Sequence, residues 1–103
     1  MRPQKSWGGG TVRGNFSLVL KQAMATNISF TVDDGCFMLI LCFKFGGSIT
    51  NNIKLNNVSK AADRYFNIQS GEQMAQYDVN VGDVFTYSGS GGASATLIAC
   101  YNT

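Results

Sequence analysis

Apolar and polar residues alternate with a period of two along most of the chain. From residue 15, Phe16, Leu18 and Leu20 occupy one set of alternate positions. Residues 28–32 repeat the pattern with Ile, Phe and Val separated by Ser and Thr. A period of two is typical of β-strands that bury one face. Further strands are predicted at 36–45, 49–58, 64–69, 73–81, 83–88 and 94–101.

One predicted strand breaks the alternation. Residues 36–45 are apolar at almost every position, and Lys44 is their only charge. A strand that is apolar on both faces is expected in the middle of a sheet that is covered on each side. Gly46 and Gly47 end it.

Turn residues separate the predicted strands about every ten positions. Asp33-Asp34-Gly35 is the clearest turn, because Asp side chains bond nearby backbone and Gly accepts a positive φ. Seven or eight short strands with such spacing predict an all-β fold, a single antiparallel β-sandwich over residues 15–103. Only residues 61–64 have a composition that would suit a helical turn.

Residues 1–14 read as a separate, extended and glycine-rich N-terminal arm. Gly8, Gly9 and Gly10 are consecutive, and ordering three glycines costs much backbone entropy, so we expect a partner to hold them. Trp7 has a large ring that suits a groove on a neighbour, and Arg13 adds a charge. We therefore predict partner binding through this arm, with folding of Trp7 back onto its own domain as the alternative.

Composition favours a protein that associates with others. Hydrophobic residues make up 45% of the chain and charged residues only 14%, which leaves the surface weakly protected against self-association. The net charge of +2 offers no clustered basic face for nucleic acid. The longest apolar run, residues 36–43, is too short for a membrane helix, and no export signal follows Met1.

Candidate catalytic and metal-binding groups are few. There is no histidine, so neither a Ser nor a Cys nucleophile has its usual base. We predict no enzymatic activity, no cofactor and no metal. Asp33, Asp34 and Asp83 could supply oxygens to a calcium ion, but turn capping is the favoured interpretation because no contiguous calcium loop occurs.

The three cysteines are predicted to be buried, reduced thiols. Cys36 and Cys42 lie six positions apart on one predicted strand, beyond disulfide reach of each other. Either could meet Cys100 on a neighbouring strand. Reduced thiols fit a protein assembled in the cytoplasm.

Two local runs carry a resemblance to known proteins. Residues 30–39 read FTVDDGCFML and residues 77–87 read YDVNVGDVFTY. In this order they resemble jelly rolls of the complement and tumour-necrosis-factor type, and the small β-sandwich proteins of tailed-bacteriophage virions. The resemblance implies a jelly-roll-like sandwich that self-associates and docks on a capsid or tail through an N-terminal arm.

The function expected from these observations is structural. We expect a non-enzymatic subunit of a phage-like virion, a capsid decoration, head-fibre or tail attachment protein, located in the virion after assembly in the host cytoplasm. Its expected partners are copies of itself and other virion proteins, with no nucleic acid and no membrane.

A carbohydrate-binding module is the alternative function. Tyr87, Ser88 and Tyr101 are the candidate glycan-binding residues, because an aromatic ring beside polar groups suits a sugar on a host surface. A small toxin or inhibitor that blocks a host protein is a third and more remote reading.

Overall fold

All of the regular structure is β-strand in the residues that the computed structural model describes, which are 6–7, 10–11 and 15–102. The alternating segments form strands because one set of side chains can be buried while the backbone pairs with neighbours. The strands are β1 (Ser6–Trp7), β2 (Gly10–Thr11), β3 (Phe16–Ala25), β4 (Asn27–Thr31), β5 (Cys36–Lys44), β6 (Thr50–Leu55), β7 (Val58–Ser59), β8 (Arg64–Gln69), β9 (Glu72–Asp78), β10 (Val84–Ser90) and β11 (Ala95–Asn102).

Two antiparallel sheets pack together, which confirms the predicted β-sandwich. The four-stranded sheet has the order β4-β10-β6-β7, and the five-stranded sheet has the order β3-β11-β5-β9-β8. In the part of the chain that is described, no helix is long and apolar enough to cross a membrane.

The pairing of strands is nested, as in a jelly roll. Strand β3 pairs with β11, β4 with β10, and β5 with β9. Successive strands of the first half of the chain therefore pair with strands of the second half in reverse order. Strand β8 departs from this scheme, because it pairs with β9 in the five-stranded sheet. Ser70 and Gly71 form the two-residue turn of that hairpin, so that Gln69 lies opposite Glu72.

The main core lies between the two sheets. Tyr77 and Phe85 meet there with ring centroids 5.2 Å apart, from β9 and β10 respectively. Leu39 and Leu41 project from β5 into the same core, and both are fully buried. Alternation along β5 therefore sends Met38 and Ile40 to the other side of the sheet.

The structure corrects two local expectations. Residues 61–64 form no helical turn. Residues 61–63 are irregular and lead into β8, which begins at Arg64, and the Asp63 N–H donates to the Gln76 carbonyl at 2.9 Å. The strand predicted at 49–58 is divided, because Asn56 and Asn57 adopt φ values of 54° and 67° and reverse the chain between β6 and β7. Asparagine tolerates this left-handed conformation better than most residues.

The predicted arm at residues 1–14 contains a short hairpin rather than extended chain alone. Ser6 lies opposite Thr11, and Trp7 lies opposite Gly10. Gly8, Gly9 and Arg13, which were expected to bind a partner, lie outside the described residues.

Candidate interaction surface

The five-stranded sheet carries a second apolar cluster on the face that points away from the four-stranded sheet. Met38 and Ile40 on β5 and Cys100 on β11 form its buried centre, at 1%, 7% and 0% exposure. Strand alternation places them there, since their neighbours along each strand point into the main core. The half-buried side chains packed around this centre are Phe37, Cys42, Met74 and Ile98.

Both edge strands extend this cluster with exposed apolar side chains. On β3, Leu18 lies opposite Cys100 and Leu20 lies opposite Ile98, so they share the outer side of the sheet. On β8, Phe66 lies opposite Met74 and is 53% exposed. We call this surface the outer apolar face; its members are Leu18, Leu20, Met38, Ile40, Phe66, Ile68, Met74, Ile98 and Cys100.

One end of the outer apolar face is closed by a polar network. Arg64 on β8 donates to both carboxylate oxygens of Asp78, at 2.6 and 3.1 Å. Its Nε also donates to the Gln76 side-chain oxygen at 3.0 Å, and Gln76 is only 3% exposed. The hydrogen bonds that Arg64 donates to Asp78 raise the pKa of Arg64 and so favour its charged form. This end therefore combines a balanced charge pair with a buried amide oxygen that accepts a hydrogen bond.

The opposite end of the outer apolar face contains a cavity. Its volume is about 330 Å³, and its lining includes Met24, Cys42, Lys44, Ile68 and Glu72. Met24 lies at an irregularity in the pairing of β3 with β11 and has φ 51°. Its N–H donates to the Thr96 hydroxyl at 3.1 Å, and its side chain is exposed. The bulge thus directs an apolar side chain to the rim of the cavity.

The outer face of the four-stranded sheet has the opposite character. Ser29, Thr86, Lys54 and Ser59 lie side by side across its four strands. Asn27, Ser88 and Asn52 form the next row. A face of polar side chains can meet water directly, as is common for one side of an antiparallel sheet.

The predicted glycan-binding residues are not brought together. Tyr87 points into the main core, is 2% exposed, and donates its hydroxyl to Asn51 at 2.5 Å. Its ring therefore presents no face to a sugar, because the alternation of β10 that exposes Ser88 buries Tyr87. Tyr101 belongs to the other sheet and donates to Asp33 at 2.6 Å, with the Lys21 ammonium 5.1 Å from its ring centre.

The three thiols are free, and burial reduces their reactivity. Burial raises the pKa of Cys36 and Cys42, and it raises the pKa of Cys100 to about 11. A raised pKa lowers the thiolate fraction, which is the nucleophilic form. Cys36 faces the main core and Cys100 faces outward, so the two lie on opposite sides of the sheet.

The turn carboxylates are engaged within the fold. Asp83 accepts hydrogen bonds from the Asn80 N–H at 2.9 Å and from the Asn56 amide at 3.1 Å. Asp33 accepts the Tyr101 hydroxyl. Within the described ranges, no three His, Cys, Asp or Glu side chains gather closely enough to share a metal ion.

The sequence signal for the outer apolar face is the apolar run of residues 36–45, which predicts a strand covered on both sides. Continuous apolar character along β5 requires apolar surface on both sides of the sheet. Alternation along β8 alone does not decide which of Tyr65 and Phe66 faces the main core, whereas pairing with Met74 places Phe66 on the outer side.

Comparisons of the chain with protein-family models, curated proteins and solved structures found no match. The function of the chain is therefore inferred from the outer faces of its two sheets.

Proposed function

We propose that this chain is a non-enzymatic structural protein of a phage-like virion, a decoration, head-fibre or tail attachment subunit that works by association. One observation carries the proposal: the five-stranded sheet is apolar on both faces, although only one face is needed for the main core. Around the buried centre of the outer apolar face, Leu18, Leu20 and Phe66 are more than half exposed, and soluble monomers rarely expose large contiguous apolar patches.

The conditions of assembly agree with this proposal. Free thiols, two of them buried and Cys42 half-buried, suit a protein that folds in the reducing cytoplasm of a host cell. The low charge, 14% of residues, suits a surface that is covered after assembly rather than one that stays in water. In this proposal residues 1–14, with Trp7, dock on another virion protein.

The proposal is tested by asking where the chain resides. Particles purified on a density gradient should contain the full-length chain in a fixed proportion to the major coat protein, measured by quantitative mass spectrometry. A chain without residues 1–14 should be absent from the particles while still unfolding cooperatively. Recovery of the full chain only in the soluble fraction would contradict the proposal.

A further inference from the structure

We propose that two copies of this chain pair through the outer apolar face, so that the two five-stranded sheets stack on each other. The inference deepens the proposed structural function by naming the partner and the surface. It rests on charge, on area and on the arrangement of side chains across the face.

Charge on this face favours an identical partner. Its charged groups lie at the two ends: Arg64 with Asp78 at one, and Lys44 opposite Glu72 at the other. Each pair is balanced in charge. Ile40 and Ile98 at the centre are uncharged, and the Arg64 guanidinium reaches the centre at Met38, where its Nη2 lies 3.5 Å from the Met38 sulfur. An acidic, basic or nucleic-acid partner would find no net countercharge here, whereas a second copy meets the same neutral surface without like-charge repulsion.

The size of the face reaches the lower limit for a specific interface between two copies. Five strands about 4.8 Å apart, each with about seven paired residues, cover roughly 500 Å² of sheet. Stacking two such faces removes about 1,000 Å² in total, the lower limit for a specific interface.

The distribution of side chains resembles a protein interface. Leu18 and Leu20 on one edge strand, and Phe66 and Ile68 on the other, are between 53% and 60% exposed. They flank the buried centre around Met38. The polar Arg64 network begins on the edge strand β8 and borders this centre, with Arg64 Nη2 3.5 Å from the Met38 sulfur. An apolar core with a polar rim is the usual anatomy of such contacts.

The first test measures the mass of the full chain in solution. Size exclusion with light scattering at tens of micromolar should give twice the chain mass of 11.1 kDa. Leu20→Lys and Phe66→Lys each place a charge in the contact, and we expect dissociation constants at least tenfold higher. Ser29→Lys is the matched control, since Ser29 is exposed on an edge strand of the other sheet, and its mass should not change.

The second test follows Cys42, a half-buried thiol of this cluster. In the dimer Cys42 should react more slowly with iodoacetamide than in Leu20→Lys, at the same pH and temperature. Cys36 and Cys100 are buried in either state and serve as internal references. Circular dichroism melting of each variant ensures that a faster reaction does not reflect unfolding.

Three outcomes would overturn the inference. The first is a monomeric wild-type chain at these concentrations. The second is a dimer that Ser29→Lys disrupts and Leu20→Lys leaves intact. The third is a monomer that dimerises only after removal of residues 1–14, which would make the chain's own N-terminal segment the occupant of the face. Presence of a monomeric chain in purified particles would leave the proposed function standing.

Discussion

The outer faces of the two sheets differ in polarity. In the four-stranded sheet, Ser29, Lys54 and Thr86 meet solvent, and the apolar residues between them point inward. In the five-stranded sheet, Ile40 and Ile98 point outward although their neighbours already fill the core. Both sheets use the same backbone alternation, so the difference lies entirely in which residues occupy the outward positions.

The difference distinguishes inward apolar residues, which the sandwich requires, from outward apolar residues, which it does not require. A sandwich requires only the inner face of each sheet to be apolar, as the four-stranded sheet demonstrates. Outward apolar residues add surface that a free monomer gains little from and that aggregation would exploit. Their presence on the five-stranded sheet is the basis for the proposed pairing of two copies through that sheet.

The largest expected effect contrasts two phenylalanines. Phe85 is fully buried on the inner face, and Phe85→Ala should lower the free energy of unfolding by about 3–5 kcal/mol through the cavity it leaves. Phe66 is 53% exposed on the outer apolar face, and Phe66→Ala should cost the monomer less than about 1 kcal/mol. Urea unfolding at a concentration low enough to keep the chain monomeric measures both.

In an association assay the two variants should rank the other way, with the larger effect from Phe66→Ala. Phe66→Ala should weaken dimerisation, while Phe85→Ala, if folded, should leave it nearly unchanged because Phe85 does not reach the outer face. Equal losses of monomer stability from the two variants would break the comparison, since the outer face would then be part of the monomer's own core.

A smaller effect is expected where the outer apolar face ends in charge. Arg64→Ala should cost about 1–2 kcal/mol, because it leaves the buried Gln76 oxygen without its donor. Lys60→Ala is the matched control, since Lys60 forms a partly exposed pair with Asp63 at 3.1 Å and satisfies no buried group. Such pairs contribute about 0–1 kcal/mol. A loss from Lys60→Ala as large as that from Arg64→Ala would refute the role assigned to Gln76.

The crossing between the sheets should respond to acid through Asp63. Burial alone would raise the pKa of Asp63, but hydrogen bonds from the Asp78 N–H and from Lys60 outweigh it, and the pKa is lowered. A lowered carboxyl pKa adds stability above the unfolded value of about 3.9, and that contribution disappears as the pH falls below it.

Melting temperatures between about pH 6 and pH 2 check this expectation. The wild-type chain should lose stability more steeply than Asp63→Asn over the acid part of this range. Asp34→Asn is a suitable control, because Asp34 is an exposed turn residue. Parallel profiles for wild type and Asp63→Asn would show that Asp63 is not the group responsible.

Sequence reasoning reached the strands and most turns, because period-two alternation and residues such as Gly35 act locally. It could not assign faces where pairing decides them. The Arg64 network joins residues 12 and 14 positions apart, and only the β8–β9 register brings them together. The polar neighbours of Tyr87 suggest a glycan-binding site, but the burial of its ring depends on which side of β10 faces the other sheet. The arm residues Gly8, Gly9 and Arg13 stay a prediction.

The smallest effect is expected from Met24→Gly, which should not lower the stability of the monomer but should weaken dimerisation. The Met24 φ of 51° is unfavourable for a residue with a Cβ, by about 1 kcal/mol or more, while glycine adopts it freely. Part of this gain is offset by the greater entropy of glycine in the unfolded chain, so Met24→Gly should leave monomer stability unchanged or raise it by up to about 1 kcal/mol. The same substitution removes an exposed apolar side chain from the rim of the cavity and should weaken dimerisation severalfold. A monomer that becomes less stable, together with unchanged association, would show that Met24 supports the fold rather than the contact.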